Sequence, residues 1–146
     1  MSGACSWKLG DTFFCDDTIG YDTRHRIVVI ANPYRRESDN ELVVVAAISS
    51  FDGQTNQQDD TCVLRAQVGP PRIWHNSYID YPHLREFTVA ELDNGVKNRH
   101  IKRRESFSVE IQKQLLQGLF KTPRVIPRWN TLALDQLTEL GWEIPN

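Results

Sequence analysis

Residues 41–50 read Glu41-Leu42-Val43-Val44-Val45-Ala46-Ala47-Ile48-Ser49-Ser50, an unbroken apolar run closed by two serines. β-Branched side chains suit a pleated, packed surface, so the run reads as a buried strand. Arg26-Ile27-Val28-Val29-Ile30-Ala31 repeats the pattern, and Asn32-Pro33 ends it. Proline brings no N–H to a ladder and restrains the residue before it. The polar loop 35–40 between the two runs has no crossover helix. Parallel neighbours need a connection of a dozen or more residues, so the two strands pair antiparallel.

The same reading extends to both sides. Thr12-Phe13-Phe14-Cys15 follows the turn residues Gly10-Asp11 and reads as a short strand, and Thr61-Cys62-Val63-Leu64 reads as another. Residues 16–23, with Gly20, and 51–60, with Gly53, read as loops, and Gly69-Pro70-Pro71 breaks the chain. Trp74 to Tyr81 alternates roughly and predicts a strand, and Phe87-Thr88-Val89 adds a short one, while residues 93–104 are polar and basic. Phe107, Ile111, Leu115 and Leu119 recur every four residues, predicting an amphipathic helix over 107–121 that Ser106 or Ser108 caps and Pro123 ends. A last helix over 131–140 stops at Gly141. These elements predict a mainly β, α+β chain: a small antiparallel barrel or curled sheet with a packed C-terminal helix. The domain spans 1–123, and 124–146 forms a short helical extension.

With 146 residues, 40% of them hydrophobic and 25% charged, the chain is long enough to bury a core without disulfides or a metal. It has no apolar run of the ~20 residues needed to cross a bilayer, and Met1 to Leu9 lacks a signal-peptide pattern. Cys5, Cys15 and Cys62 are odd in number and form no CxxC, which points to a reducing, cytoplasmic setting. A net charge of −2 excludes a uniformly basic nucleic-acid binder. The charge is nonetheless uneven. Acid gathers at Asp16-Asp17 and Asp59-Asp60, and base at Arg24-His25-Arg26, at Arg35-Arg36 and from Lys97 to Arg104.

His25, His75, His83 and His100 show no metal-ligand spacing, and phosphate-binding and nucleophile-elbow motifs are absent, so no metal or cofactor is expected. The informative pattern is Arg24-His25-Arg26 before one strand and Ser49-Ser50 after the next. Strand ends of this kind can meet at one mouth of a small barrel. A guanidinium fork matches phosphate oxygens and stabilises charge that develops on them, and a hydroxyl can donate to the same atoms. Imidazole changes charge near neutral pH, which makes His25 a proton carrier. Loop charges and turn serines are also common on any surface. The run Lys97 to Arg104 suits either a nucleic-acid backbone or a solvated face. Trp74, Tyr78 and Tyr81 suit base stacking, or a core or rim.

The segments Gly10-Asp11-Thr12-Phe13-Phe14, His25 to Asn32 and Val43 to Ser50 together resemble the MazF/PemK (Kid) family of toxin endoribonucleases. That resemblance covers about the first 65 residues and the helix at 107–120. It implies an SH3-like barrel with a terminal helix, metal-independent cleavage of single-stranded RNA by attack of the 2′-OH, a homodimer, and an antitoxin protein partner. On the resemblance, Arg26 takes the catalytic arginine position and Ser49 that of the catalytic threonine or serine, with His25 beside them. Arg24, Ser50, Ser77, Lys97 and Arg99 would contact RNA. Ile27 stands where the family usually has proline, and the stretch Asn76 to Asp80 lacks the family's basic residue. The alternative reading is a barrel of the same shape that binds protein or nucleic acid without catalysis.

Overall fold

The computed structural model describes residues 6–37, 39–50, 59–67 and 71–146. Its strands are β1 (Thr12–Cys15), β2 (Ile27–Val29), β3 (Leu42–Ser50), β4 (Val63–Leu64), β5 (Ser77–Ile79), β6 (Arg85–Thr88) and β7 (Ile101–Arg104). The helices are α1 (Val89–Lys97), α2 (Val109–Lys121) and α3 (Pro127–Leu140). The strands lie in the order β4-β5-β3-β2-β1-β7, with β6 also on β3, and every pairing is antiparallel.

β3 is the hub. One edge pairs with β2, from Ile27 opposite Ala47 to Val29 opposite Val45. The other edge is shared: Leu42 to Val45 pair with β6, and Ile48 to Ser50 pair with β5. Successive side chains on a strand alternate between faces. Val28, Ile30, Val44, Ala46 and Ile48 therefore point to one side, where Leu115, Leu116 and Leu119 of α2 and Ala133 and Leu137 of α3 complete a core. Ile27, Val29, Val43 and Val45 point to the other, against Phe13, Phe87, Ile101, Trp7 and Leu92 of α1. These are called the first and second faces below.

An antiparallel sheet with helices is what the strand and loop pattern predicts. The barrel is a correction: among the described residues the ladder does not close and ends at β4 and β7. The reason is physical. A strand apolar on both sides needs cover on both, whereas the outer wall of a small barrel faces water. α1 joins β6 to β7 and packs Leu92 against the second face.

Two elements in the polar basic segment escape the pattern reading. α1 buries only Leu92 and Gly95, so its apolar stripe is thin, and its start is set by a capping box between Thr88 and Glu91. β7 reads Ile-Lys-Arg-Arg, charged as edge strands often are. The strand predicted over Trp74 to Tyr81 shortens to Ser77–Ile79. Ser108 stands at the N-cap of α2 but its side chain makes no capping bond, and the Ser106 hydroxyl instead donates to Asp11. α3 begins four residues before the predicted start because Pro127 suits the first helical turn, and Gly141 ends it at φ 68° as expected. Gln136 ties α3 to the sheet: its side chain accepts from the Asn32 N–H at 2.7 Å and donates to the Asn32 carbonyl at 2.8 Å.

Cys15 and Cys62 are buried free thiols, while Cys5, Gly53 and Gly69-Pro70 lie outside the described residues. Burial, aided at Cys15 by Asp22 and Asp16, pushes the thiols up to about 11 and about 12, so neither is a nucleophile near neutral pH. Gly118 on α2 is held by packing, not by its φ. A methyl group there would overlap the Tyr81 hydroxyl, which is fully buried and donates to the Leu115 carbonyl. Gly118→Ala gains up to ~1 kcal/mol of helix propensity but overpacks a rigid neighbour, for a net loss of about 1–3 kcal/mol in urea denaturation.

Candidate functional site

Register defines the site. Phe13 opposite Ile27 sets Phe14 beside Arg26, and Phe14 also pairs with Lys102 of β7. The Ile48 N–H donates to the Arg26 carbonyl at 2.9 Å, continuing the row onto β3, and Ile48 pairs with Ile79. Lys102, Phe14, Arg26 and Ile48 thus cross the first face side by side. One step along, Val28 and Ala46 are fully buried. In the row itself Phe14 and Arg26 are half-buried and Lys102 is exposed, so the helical cover stops here.

A groove of about 220 Å³ opens at this margin, lined by Phe14, Arg26, Ile48 and Ser50 from the sheet and by Arg72, Ile73, Trp74, His75 and Ser77 from the segment leading into β5. Arg26 reaches Thr12 Oγ1 only at a long 3.4 Å and lies 5.4 Å from the Phe14 ring centre. It makes no ion pair among the described residues, unlike Arg103 with Asp11 or Arg36 with Glu86. Burial lowers its pKa, Glu105 raises it and Arg104 lowers it again, yet a guanidinium remains charged. The groove therefore holds a partly desolvated cation with no ion pair among the described residues, Glu105 acting on it from beyond ion-pair distance. The Arg72 guanidinium stacks 3.7 Å from the ring centre of Trp74, which is 70% exposed. The Ser77 hydroxyl donates to the His75 carbonyl at 2.8 Å.

Of the residues singled out from the sequence, Arg26, Ser50, Trp74 and Ser77 meet in this groove. Ser49 does not line it: it alternates to the second side of β3 and pairs with Tyr78. His25 also turns away, its Nδ1 2.8 Å from Asp22, which accepts the backbone N–H groups of Arg24 at 2.8 Å and His25 at 2.9 Å. Arg24 is exposed in that turn. Lys97 ends α1, and Arg99 forms the next corner at φ 64°, both beyond the second face. Tyr81 is interior and offers no stacking surface. The groove adds Arg72, which no sequence motif marks, and His75, which the sequence offers only as a histidine without metal-ligand spacing, although Arg72 and Trp74 share the period of two that marks one side of an extended segment.

A second hollow, of about 290 Å³, lies against α1 and is lined by Thr18, Asn94, Asn98 and His100 over Ile19 and Phe87. His100 is engaged there with Asp16 at 2.9 Å, and no cation faces the space. The Arg26 groove is the better fit for an anion bearing a flat ring. No protein-family profile, curated protein or solved structure matches the chain.

Asp22 shapes the turn that delivers Arg26. Burial raises its pKa, but the hydrogen bonds from the His25 ring and from two backbone N–H groups outweigh this and hold it below the ordinary carboxylate value. A lowered folded pKa stabilises above the unfolded value and is lost as pH falls. Asp22→Ala is expected to cost about 1–3 kcal/mol at neutral pH. In urea melts the gap from wild type should close as pH drops through the carboxylate range.

Proposed function

We propose that the Arg26 groove binds single-stranded RNA and cleaves it without a metal. The observation that carries this reading is the half-buried Arg26 guanidinium, unpaired with any described carboxylate, opening beside His75, Ser50 and Ser77. Such a cation is stabilised by an anion, and partial desolvation strengthens the attraction. A phosphodiester fits the fork, and a serine hydroxyl can donate to its oxygens, at Ser77 by turning from the His75 carbonyl.

RNA carries its own nucleophile in the 2′-OH. Its oxygen attacks the adjacent phosphorus, and the bond to the 5′-oxygen breaks. The 2′-OH proton leaves and the 5′-oxygen gains one, giving a cyclic phosphate and a free 5′-hydroxyl. Arg26 stabilises the charge that grows on the phosphoryl oxygens, and His75 transfers a proton. This reassigns two roles expected from the sequence, one from the family resemblance and one from the residues alone. The hydroxyl beside the arginine belongs to Ser50 instead of Ser49, and the imidazole to His75 instead of His25. On the same reading the protein is a cytoplasmic toxin that dimerises and is restrained by an antitoxin.

The position of Ser49 away from the groove favours a second reading, in which the groove binds nucleic acid without cutting it. Incubation with a long single-stranded RNA in EDTA separates the two. Cleavage by wild type, with Arg26→Ala and His75→Ala each slower by about 10²-fold or more, supports the nuclease. Arg26→Lys, which keeps the charge and loses the fork, should fall between. RNA left intact by wild type rejects the nuclease and leaves the binding reading.

A further inference from the structure

We propose that the nucleic-acid strand lies across the sheet, at right angles to the β-strands, from a base stacked on Trp74, over Arg26, to phosphates held by Lys102 and Arg104 on β7. This rests on the reading of the groove as a nucleic-acid site and adds the path and the contacts at its far end.

Pairing carries the argument. Lys102 stands opposite Phe14, and Arg104 opposite Thr12, so both share the first face with Arg26. Adjacent strands are ~4.8 Å apart, which puts the β7 backbone about 10 Å from that of β2. Both side chains are exposed at the sheet edge, and Lys102 has no ion pair among the described residues. Arg104 has its neighbour Glu105 at 3.9 Å as its ion pair among the described residues. Arg103, between them, alternates to the other face. There it bonds Asp11 at 3.0 Å and stacks 3.9 Å from the Trp7 ring centre. The run Lys102-Arg103-Arg104 thus divides by parity into one structural arginine and two cations on the groove's face, Lys102 in the row of Arg26 and Arg104 one pleat along at the sheet edge.

At the other end the Trp74 indole has Arg72 on one face and keeps 70% of its surface exposed, a ring onto which a base can stack. Phe14, half-buried between Arg26 and Lys102, supplies apolar surface midway. Cations and rings alternate along one line, as a chain of alternating phosphates and bases requires. Three acids lie by β7: Asp11 is held by Arg103 and Ser106, Asp16 by His100, and Glu105 stands 3.9 Å from Arg104.

The test uses fluorescein-labelled oligo(dT), which lacks the 2′-OH and so reports binding independently of cleavage. Wild type should bind at low salt, with affinity falling as salt rises. K102A/R104A should weaken binding about tenfold and flatten the plot of log affinity against log salt by about 1.4, at ~0.7 per single-strand phosphate contact. Trp74→Ala should weaken binding and leave the slope unchanged. K113A/K121A, which removes the same charge from α2, should match wild type. Failure of wild type to bind oligo(dT), an unchanged slope in K102A/R104A, or an equal effect of K113A/K121A would each overturn the path. Binding that follows this pattern while RNA stays intact would reject only the nuclease chemistry.

Discussion

Leu42 to Ile48 carry apolar side chains on both sides of one strand, and neither side can be left to water. Burying each large side chain is worth about 1.5–3 kcal/mol, which must outweigh the backbone entropy of an extended strand, about 1–2 kcal/mol per residue. Cover on one side only would forfeit much of that gain. The rest of the architecture answers this demand: α2 and α3 lie on the first face, α1 on the second, and β2, β5 and β6 satisfy the backbone along both edges. Where the strand turns polar, at Ser49 and Ser50, the demand ends and so does the cover.

The groove follows from that boundary. Arg26 sits one pleat beyond the fully buried Val28, near enough to the core to lose water and far enough out to meet a ligand. Had a carboxylate stood opposite, as Asp11 does for Arg103, the result would be a structural ion pair. Its neighbours in the row are an aromatic ring and an aliphatic side chain. The site is thus a product of register: whichever residues fall into the first uncovered row become its lining.

Much of this was legible in the residues. The β-branched runs marked β2 and β3 because burial on both faces leaves a continuous apolar signal. The spacing of Leu115 and Leu119 marked α2, and Gly141 marked the end of α3. α1 and β7 were not legible, because a helix burying one leucine and a strand of three consecutive cations carry almost no hydrophobic period. For the site, the resemblance pointed to Arg26 with Ser49, while strand parity counted from Val28 and Ile48 puts Ser50 on the side of Arg26 and Ser49 on the other. Period two reports direction in space, and a motif reports only order. Arg72 and His75 joined the site through the route of the chain from β4 to β5, which no local pattern encodes.

The grip of Gln136 on Asn32 joins residues 104 positions apart. Contacts of such long sequence separation close late, because the chain entropy of the loop is lost before the contact returns anything. Until residue 137 has left the ribosome, the first face of the sheet has no α3, and Ile30 and Val44 lack part of their cover. A nascent chain of this protein therefore carries a half-finished apolar sheet until α3 has emerged, the kind of surface that chaperones hold and that aggregates when crowded. The same helix that completes the core thus also sets the earliest moment at which the first face is covered.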